Sequence, residues 1–322
     1  MKKIVLTILV IIVIVIGVAA SYVKFGLPRV APATDLHVDA TPERIAHGKY
    51  LANHVTICMD CHSTRDWSRF SGPPEPGTLG KGGETFDKKM GFPGNFYARN
   101  ITPAHLKNWT DGEIFRAITT GVNAKGEALF PLMPYESYGK MDKEDIYDII
   151  AYVRSLPSIE HNVPDHTVDF PMNFIINTIP GEAHLVQKPP KSDTLKYGAY
   201  LLNASGCIEC HTKADKGQII MDLAFSGGRD FKFPQGVTYS ANITPDKKTG
   251  LGNWTAEDFV ARFKAYNDST NYPTLKVGQL NTIMPWVMYA GIDTADLRSM
   301  YAYLKTIKPI SNKVDHFVLA EK

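Results

Sequence analysis

The first feature of the hydrophobic pattern is an apolar run near the N-terminus. Two lysines precede residues 4–20, which are apolar apart from one threonine. A cleaved signal peptide has an apolar core of about 7–15 residues, whereas about 17–25 residues suffice for a helix that spans a bilayer. We therefore predict that residues 1–25 form a membrane anchor; the alternative is a signal peptide cleaved before Ser21. In both cases the lysines stay in the cytoplasm and the rest of the chain is exported.

Further along the chain, apolar residues recur with the period of a helix. Two stretches have them at positions i, i+3, i+4 and i+7, which predicts amphipathic helices. These positions are Ile146, Ile149, Ile150 and Val153 in one stretch and Leu297, Met300, Tyr301 and Leu304 in the other. Thr41 followed by Pro42 predicts the capped start of another helix, which runs to about His54. We predict an all-α fold in which glycine- and proline-rich stretches, such as 72–94, are loops.

The chain also repeats itself at an interval of about 150 residues, and six landmarks occur twice in the same order. They are a GxYL segment (48–51 and 198–201), CxxCH (58–62 and 207–211), Asn-Ile-Thr-Pro (100–103 and 242–245), Asn-Trp-Thr (108–110 and 253–255), Met-Pro (133–134 and 284–285) and a tyrosine in the last helix of each half (Tyr152 and Tyr303). Self-similarity of this kind predicts a tandem duplication.

The landmarks define the domain boundaries that we expect. The two repeats predict domains over residues 40–157 and 194–309. Residues 158–193 contain several prolines and have no counterpart among the landmarks, which predicts an extended strap between the domains. Its largely apolar run over 170–179 predicts that the strap packs on a surface. Residues 310–322 remain as a C-terminal tail.

Composition and charge then narrow the function. Hydrophobic residues make up 44% of the chain and charged residues 21%, which is ordinary for a folded protein. The net charge of +2 gives no polyanion-binding surface, so nucleic acid is excluded as a partner. All four cysteines lie in the two CxxCH motifs, so none is left for a disulfide framework. The cysteines therefore bind a cofactor or a metal.

The CxxCH spacing is that of covalent haem attachment. Two cysteines three residues apart on one helical turn reach the two vinyl groups of a porphyrin, and the next histidine reaches the iron. The alternatives are a zinc knuckle, which would need two distant cysteine pairs to converge, and a redox dithiol, which would follow an apolar strand. We predict two covalently attached haems c. The residues that bind them are Cys58, Cys61 and His62 in the first half and Cys207, Cys210 and His211 in the second. The cysteines attach the porphyrin and the histidines bind the iron.

A methionine thioether as sixth iron ligand is typical of an electron carrier with a raised potential. Met133 and Met284 both precede proline, follow their histidines by 71 and 73 residues, and correspond under the repeat. We predict that they are the sixth ligands, with Met141 and Met288 as the alternatives. Met300 lies on an apolar helical stripe and is predicted to be core.

The remaining histidines and two tryptophans are predicted to have structural roles. We expect the histidines to have no counterpart at their repeat positions and to be solvated or locally hydrogen-bonded; they are His37, His47, His54, His105, His161, His166, His184 and His316. Trp109 and Trp254 are expected in the core, the alternative being an indole N–H that donates to a haem propionate.

With these motifs, each half resembles a class I cytochrome c domain, and the fuller pattern is similar to multihaem cytochrome subunits that accompany membrane-bound dehydrogenases. The resemblance covers about residues 40–157 and 194–309. It implies that the first and last helices of each domain cross, with Gly48 and Gly198 at the crossings. Those subunits typically have three haems and a C-terminal membrane contact, whereas this chain has two motifs and an N-terminal apolar run.

The predicted function is electron transfer between redox protein partners, as the cytochrome subunit of a dehydrogenase or in a respiratory chain, and not catalysis by this chain itself. We expect a single-pass protein of the inner membrane with its haem domains on the periplasmic side, or a soluble periplasmic protein if the N-terminus is cleaved. The alternative function is a dihaem peroxidase, in which one iron must stay open. That function conflicts with the Met-Pro pair that both halves carry.

Overall fold

The computed structural model describes residues 1–233, 235–276, 278–279 and 281–319. The end of the predicted tail (320–322) and positions 234, 277 and 280 of the second predicted domain lie outside the described residues. Helices are the main regular secondary structure of the described part of the chain. It begins with α1 (Lys2–Ser21), which continues through a π-helical turn at Tyr22–Gly26. Together these residues form an apolar helix that has no buried residues and is long enough to cross a membrane.

The first half consists of short helices joined by loops. They are α2 (Pro42–Tyr50), α3 (Cys58–Cys61), α4 (Pro103–Leu106), α5 (Asp111–Thr120), α6 (Tyr135–Tyr138) and α7 (Lys143–Ser155). The predicted start of α2 is confirmed, because the Thr41 side chain accepts a hydrogen bond from the Arg44 backbone N–H at 3.3 Å. The α-helix ends at Tyr50, earlier than predicted, and a π-helical turn (Leu51–Val55) leads towards the first CxxCH motif.

The strap and the second half repeat this helical order. The strap contains α8 (Met172–Ile175). The second half contains α9 (Thr194–Ala204), α10 (Cys207–Cys210), α11 (Ala256–Lys264), α12 (Trp286–Tyr289) and α13 (Thr294–Leu304). Both predicted amphipathic stripes lie in helices, α7 and α13, and their apolar residues join one hydrophobic cluster that includes residues of both halves.

An all-α fold is only partly correct, because short antiparallel sheets accompany the helices. One sheet has the order β1 (Thr85–Phe86), β2 (Gly94–Tyr97), β3 (Thr167–Val168), and another has the order β6 (Asp230–Phe233), β7 (Gly236–Tyr239), β8 (Phe317–Leu319). A two-stranded hairpin, β4 (Ala214–Asp215) and β5 (Gln218–Ile219), follows the second CxxCH motif. Each strand has only two to four residues. An alternation of apolar and polar residues cannot be recognised in so short a segment of glycine-rich sequence.

The strap is less independent of the repeat than predicted. Its strand β3 pairs with β2 as β8 pairs with β7, and β3 and β8 directly follow His166 and His316. The two histidines lie 150 residues apart, so the expectation that they have no repeat counterpart is wrong. The repeat therefore extends past each last helix, into an Asp-His-x-Val segment that both halves share and that lies outside the helical pattern.

The first and last helices of each half cross closely. A β-carbon on Gly48 would lie 1.8 Å from the Asp148 carbonyl oxygen, and one on Gly198 would lie 2.0 Å from the Ser299 carbonyl oxygen. No side chain fits at such distances, so glycine is required at both crossings. The crossings predicted from the family resemblance are confirmed.

Candidate haem sites

Each CxxCH motif forms one helical turn that begins at a left-handed residue. Ile57 precedes α3 with φ 48°, and Gly206 precedes α10 with φ 61°. The backbone N–H of the histidine then donates to the carbonyl of the first cysteine at 2.9 Å in both halves. The turn therefore presents two thiols on one side and leads directly into the histidine.

The two histidines are oriented in the same way. The Nδ1 atom of His62 is 2.6 Å from the Arg99 carbonyl oxygen, and that of His211 is 2.8 Å from the Ala241 carbonyl oxygen. A carbonyl can only accept, so Nδ1 carries the proton and Nε2 has the free lone pair. This is the arrangement by which a second hydrogen bond fixes a ligand imidazole and increases its basicity.

The Asn-Ile-Thr-Pro segments position those carbonyl groups. The Asn100 side-chain oxygen accepts from the Thr102 N–H and hydroxyl at 2.9 and 2.8 Å, and its amide donates to the Ile159 carbonyl at 2.8 Å. Asn242 makes the matching bonds, including one to the Ile310 carbonyl at 2.7 Å. Each asparagine directly follows the residue whose carbonyl binds the histidine. The Asn-Ile-Thr-Pro segment therefore holds that carbonyl in place.

A pair of buried tyrosines also supports the motifs, and sequence reasoning missed them. Tyr138 donates to the Thr56 carbonyl at 2.7 Å, and Tyr289 donates to the Ser205 carbonyl at 2.6 Å. The acceptors lie two residues before the first cysteine of each motif. The signal was present, because both tyrosines come five residues after the Met-Pro methionine. They tie the Met-Pro segment of each half to its CxxCH turn.

The acidic residue inside each motif meets an arginine. Asp60 is 2.9 Å from the Arg65 guanidinium, with both side chains buried, and burial raises the pKa of Asp60 to about 6 while the arginine opposes the rise. In the second half, Arg229 donates to the backbone carbonyl of Glu209. Burial also raises the pKa of Glu209, against the opposing charge of Arg229.

Burial also sets the protonation of the candidate ligands. It lowers the pKa of His62 and of His211, and therefore favours the neutral imidazole that can bind a metal. It raises the pKa of Cys61 and of Cys207 to about 12, so the unmodified thiols are protonated at neutral pH. The pKa values of Cys58 and Cys210 are raised for the same reason.

The candidate sixth ligands, Met133 and Met284, begin equivalent turns. Both are half-buried against the hydrophobic cluster. Two residues later, the Tyr135 N–H donates to the Met133 carbonyl at 2.7 Å and the Trp286 N–H donates to the Met284 carbonyl at 2.8 Å. The backbone thus has the same shape at both methionines, just before α6 and α12.

The alternative methionines lie in the core. Met141 is fully buried, and its counterpart under the repeat is the equally buried Ile292. Met300 and Met288 are also buried, which bears out the core prediction for Met300. Trp109 packs against the hydrophobic cluster as predicted, but Trp254 is 36% exposed, so the core prediction for Trp254 is wrong.

These residues fit a covalently bound haem in each half. A thiol pair on one turn, an adjacent neutral imidazole with a free Nε2 and a methionine are the donor set of a c-type haem. The alternative zinc site receives no support, because the metal-ligand cluster that the described residues form is His47, Asp145 and Asp148, which contains no cysteine.

The comparisons agree with this donor set. No protein-family model matches the chain. It is 36% identical to the cytochrome c subunit of a quinone alcohol dehydrogenase from Gluconobacter oxydans. The alignment of 289 residues covers 84% of this chain and 56% of that protein. The chain is 25% identical over 293 residues to the fructose dehydrogenase cytochrome subunit from Gluconobacter japonicus, covering 87% of the chain and 56% of the relative. A diheme c-type cytochrome from Cereibacter sphaeroides is 26% identical over 264 residues, covering 79% and 82%.

The donor sets and these similarities make the chain a c-type cytochrome with two covalently bound haems c. More particularly, it is similar to the cytochrome subunits of dehydrogenases, and it spans just over half the length of the two dehydrogenase subunits compared above.

Proposed function

We propose that the chain carries electrons through two tandem class I cytochrome c domains. Haem iron, when bound, alternates between the ferric and ferrous states and so transfers one electron at a time. In this proposal, Cys58 and Cys61 hold one haem and Cys207 and Cys210 hold the other. His62 and His211 would be the proximal ligands, and Met133 and Met284 the sixth ligands.

One observation supports the carrier function most directly: the two halves build the same surroundings for the two sites. In each half an asparagine segment orients the histidine, a buried tyrosine ties the motif, and the Met-Pro turn has the same backbone hydrogen bond. A peroxidase would need one site to differ by lacking its sixth ligand. The described residues give no sign of such a difference, so the peroxidase alternative is not supported.

We further propose that the redox partners include a dehydrogenase. The similar proteins are named as cytochrome subunits of alcohol, fructose and gluconate dehydrogenases, which oxidise different substrates. The substrate is therefore a property of the catalytic partner. This chain would receive electrons from that partner and pass them on to an acceptor.

For the location, we propose a single-pass anchor in the inner membrane with the haem domains on the periplasmic side. Residues 2–26 supply a helix of sufficient length, and the strap lies against its end. The Asn177 side chain donates to the Val23 carbonyl at 3.3 Å, and exposed aromatic residues, Phe25 at 84% and Phe170 at 80%, lie on these segments. Aromatic residues at the end of a span are typical of a membrane–water interface.

The experiment compares two oxidants of the fully reduced protein. A carrier is rapidly reoxidised by ferricyanide at both haems in stopped-flow absorption. With excess hydrogen peroxide and a reducing substrate, it shows no sustained turnover. Sustained peroxide turnover that depends on one haem would contradict the proposal and support the peroxidase alternative.

A further inference from the structure

The Met-Pro turn of the second half is bound by a side chain of the first half. Ser71 of the first half is 1% exposed and donates its hydroxyl to the Met284 carbonyl of the second half at 2.6 Å. The same hydroxyl accepts from the Trp286 N–H at 3.1 Å. One side chain thus contacts the backbone on both sides of Pro285.

Ser71 is itself held from the second half. Its N–H donates to the Asn281 side chain at 3.0 Å, and the Asn281 amide donates back to the Trp67 carbonyl at 3.3 Å. The backbone of Phe70 also donates to the Pro273 carbonyl at 3.0 Å. Ser71 has φ 66°, so the loop adopts an unfavourable conformation to make these contacts.

The loop that contains Ser71 is longer than the corresponding loop of the second half. In both halves a glycine N–H donates to the carbonyl of the CxxCH histidine, Gly82 to His62 at 2.9 Å and Gly227 to His211 at 2.7 Å. Twenty positions separate the first pair and sixteen the second, so the first half has four additional residues at this point. The shorter connection in the second half contains the β4–β5 hairpin.

The Met133 turn lacks such a brace among the described residues. The bond from Tyr135 to the Met133 carbonyl lies within the first half. The second half reaches this segment further along, where the Asn203 amide donates to the Ser137 carbonyl at 2.8 Å, and His54 bonds the corresponding Met288 carbonyl in the same way. The Ser71 contact is therefore what distinguishes the Met284 turn. We propose that Ser71 is a positioning residue for the second haem: the first half holds the turn that presents Met284. This inference rests on the proposed ligation by Met284.

The energetic reason is the weakness of the ligand. A neutral thioether binds iron less strongly than an imidazole, so its retention depends on how firmly the protein holds the turn. Without the Ser71 hydroxyl, the half-buried Met284 carbonyl loses one of the hydrogen bonds that it accepts and the Trp286 N–H loses an acceptor, so the turn becomes easier to displace. The second haem should then exchange its sixth ligand more readily while the first haem stays unchanged.

The test titrates the full-length oxidised dihaem protein with imidazole as an external sixth ligand. Ser71→Ala removes the hydroxyl, and Ser71→Gly removes it while accepting a positive φ. Both should raise the imidazole affinity of one haem about tenfold, a change that corresponds to about 1.4 kcal/mol. Thr78→Val is the matched control, because the Thr78 hydroxyl in the same loop bonds Thr64 and Glu75 of the first half.

Met284→Ala identifies which haem responds and separates the two hypotheses. If Met284→Ala removes one far-red methionine–iron band and both Ser71 variants bind imidazole as the unchanged protein does, the brace is refuted and the ligation stands. If Met284→Ala leaves both bands intact, the ligation by Met284 is refuted and the brace with it. A response of both haems to Ser71→Ala and Ser71→Gly would also contradict a brace that acts on the second haem.

Discussion

Tyr50 of the first half donates its hydroxyl to the Asp296 carboxylate of the second at 2.8 Å, and Tyr200 of the second half donates to Asp145 of the first at 2.6 Å. The tyrosines are 150 residues apart and the aspartates 151, so the contact is the same one made twice. Both carboxylates are 1% exposed. The halves therefore face each other across an approximate twofold axis, with a tyrosine bound to a buried aspartate on either side.

Removing one of these hydroxyls should loosen the contact between the halves without opening a haem. A hydrogen bond to a buried carboxylate contributes about 1.5–3 kcal/mol. Tyr50→Phe and Tyr200→Phe should each lower the free energy of unfolding by that order, as measured by chemical denaturation. Tyr147→Phe is the control, since its ring packs on Phe115 at 5.6 Å and its hydroxyl bonds none of the described residues.

The haem spectra decide whether this interface is separate from the cofactor sites. Both variants should retain the absorption of the unchanged protein in the oxidised and reduced states. If Tyr50→Phe lost a methionine–iron band, the interface between the halves would not be separate from the haem sites.

The asparagine segments should control the reduction potentials. Asn242→Ala removes the bonds that place the Ala241 carbonyl, which binds His211 at 2.8 Å. A ligand imidazole that loses this acceptor is a weaker base and stabilises ferric iron less. The potential of the second haem should rise by tens of millivolts in a redox titration, and Asn100→Ala should do the same for the first. The exposed Asn253→Ala, in the same half, is the control and should leave both potentials unchanged.

The interface should weaken in mild acid because of His54. This side chain donates from Nδ1 to the Met288 carbonyl at 2.8 Å. Burial lowers its pKa, and the charge of Lys264 adds to that effect, although the hydrogen bond to Met288 and the charge of Asp293 oppose it. The unfolded chain therefore binds a proton below about pH 6.5 that the folded chain resists. The resulting stability is complete above that pH and is lost as the pH falls.

The measurement is the free energy of unfolding between pH 5 and pH 8 for the protein and for His54→Gln. The glutamine amide can donate the same bond but does not titrate in this range. The unchanged protein should lose up to about 1.4 kcal/mol per pH unit more than the variant as the pH falls below 6.5. Parallel pH profiles would show that His54 makes no such contribution.

Sequence patterns were sufficient where they report local geometry. The CxxCH turns and the capped start of α2 each depend on a few neighbouring residues, whereas the crossing glycines were expected from the family resemblance. The repeat added the pairing of distant landmarks, because equivalent residues have equivalent surroundings. Most of the helical part of the fold could be predicted from these features.

Features that depend on long-range contacts were not predictable in this way. His54 has no helical-pattern signal, yet it reaches 234 positions along the chain to the Met288 carbonyl. Ser71 looks like an ordinary residue of a glycine- and proline-rich loop, and its role appears only when the second half is folded against it. Short strands such as β3 depend on the distant strand that they pair with, here β2, and two residues are too few to show an alternation of their own.

Each candidate sixth ligand can be tested separately. Met133→Ala and Met284→Ala should each remove half of the far-red methionine–iron absorption and let carbon monoxide bind one reduced haem per chain. The thioether is the group removed, so the CxxCH attachment should stay intact and both haems should remain covalently bound in denaturing electrophoresis. Met141→Leu, a change in the fully buried core, is the control and should leave the far-red absorption unchanged.

The central claim is that both irons are closed by methionine and that the protein therefore carries electrons. Far-red absorption of the oxidised, unmodified protein, followed by carbon monoxide addition after reduction, tests this directly. The account predicts two methionine–iron charge-transfer bands per chain, separate or superimposed, and no carbon monoxide adduct. An iron that binds carbon monoxide readily in the unmodified protein would contradict it.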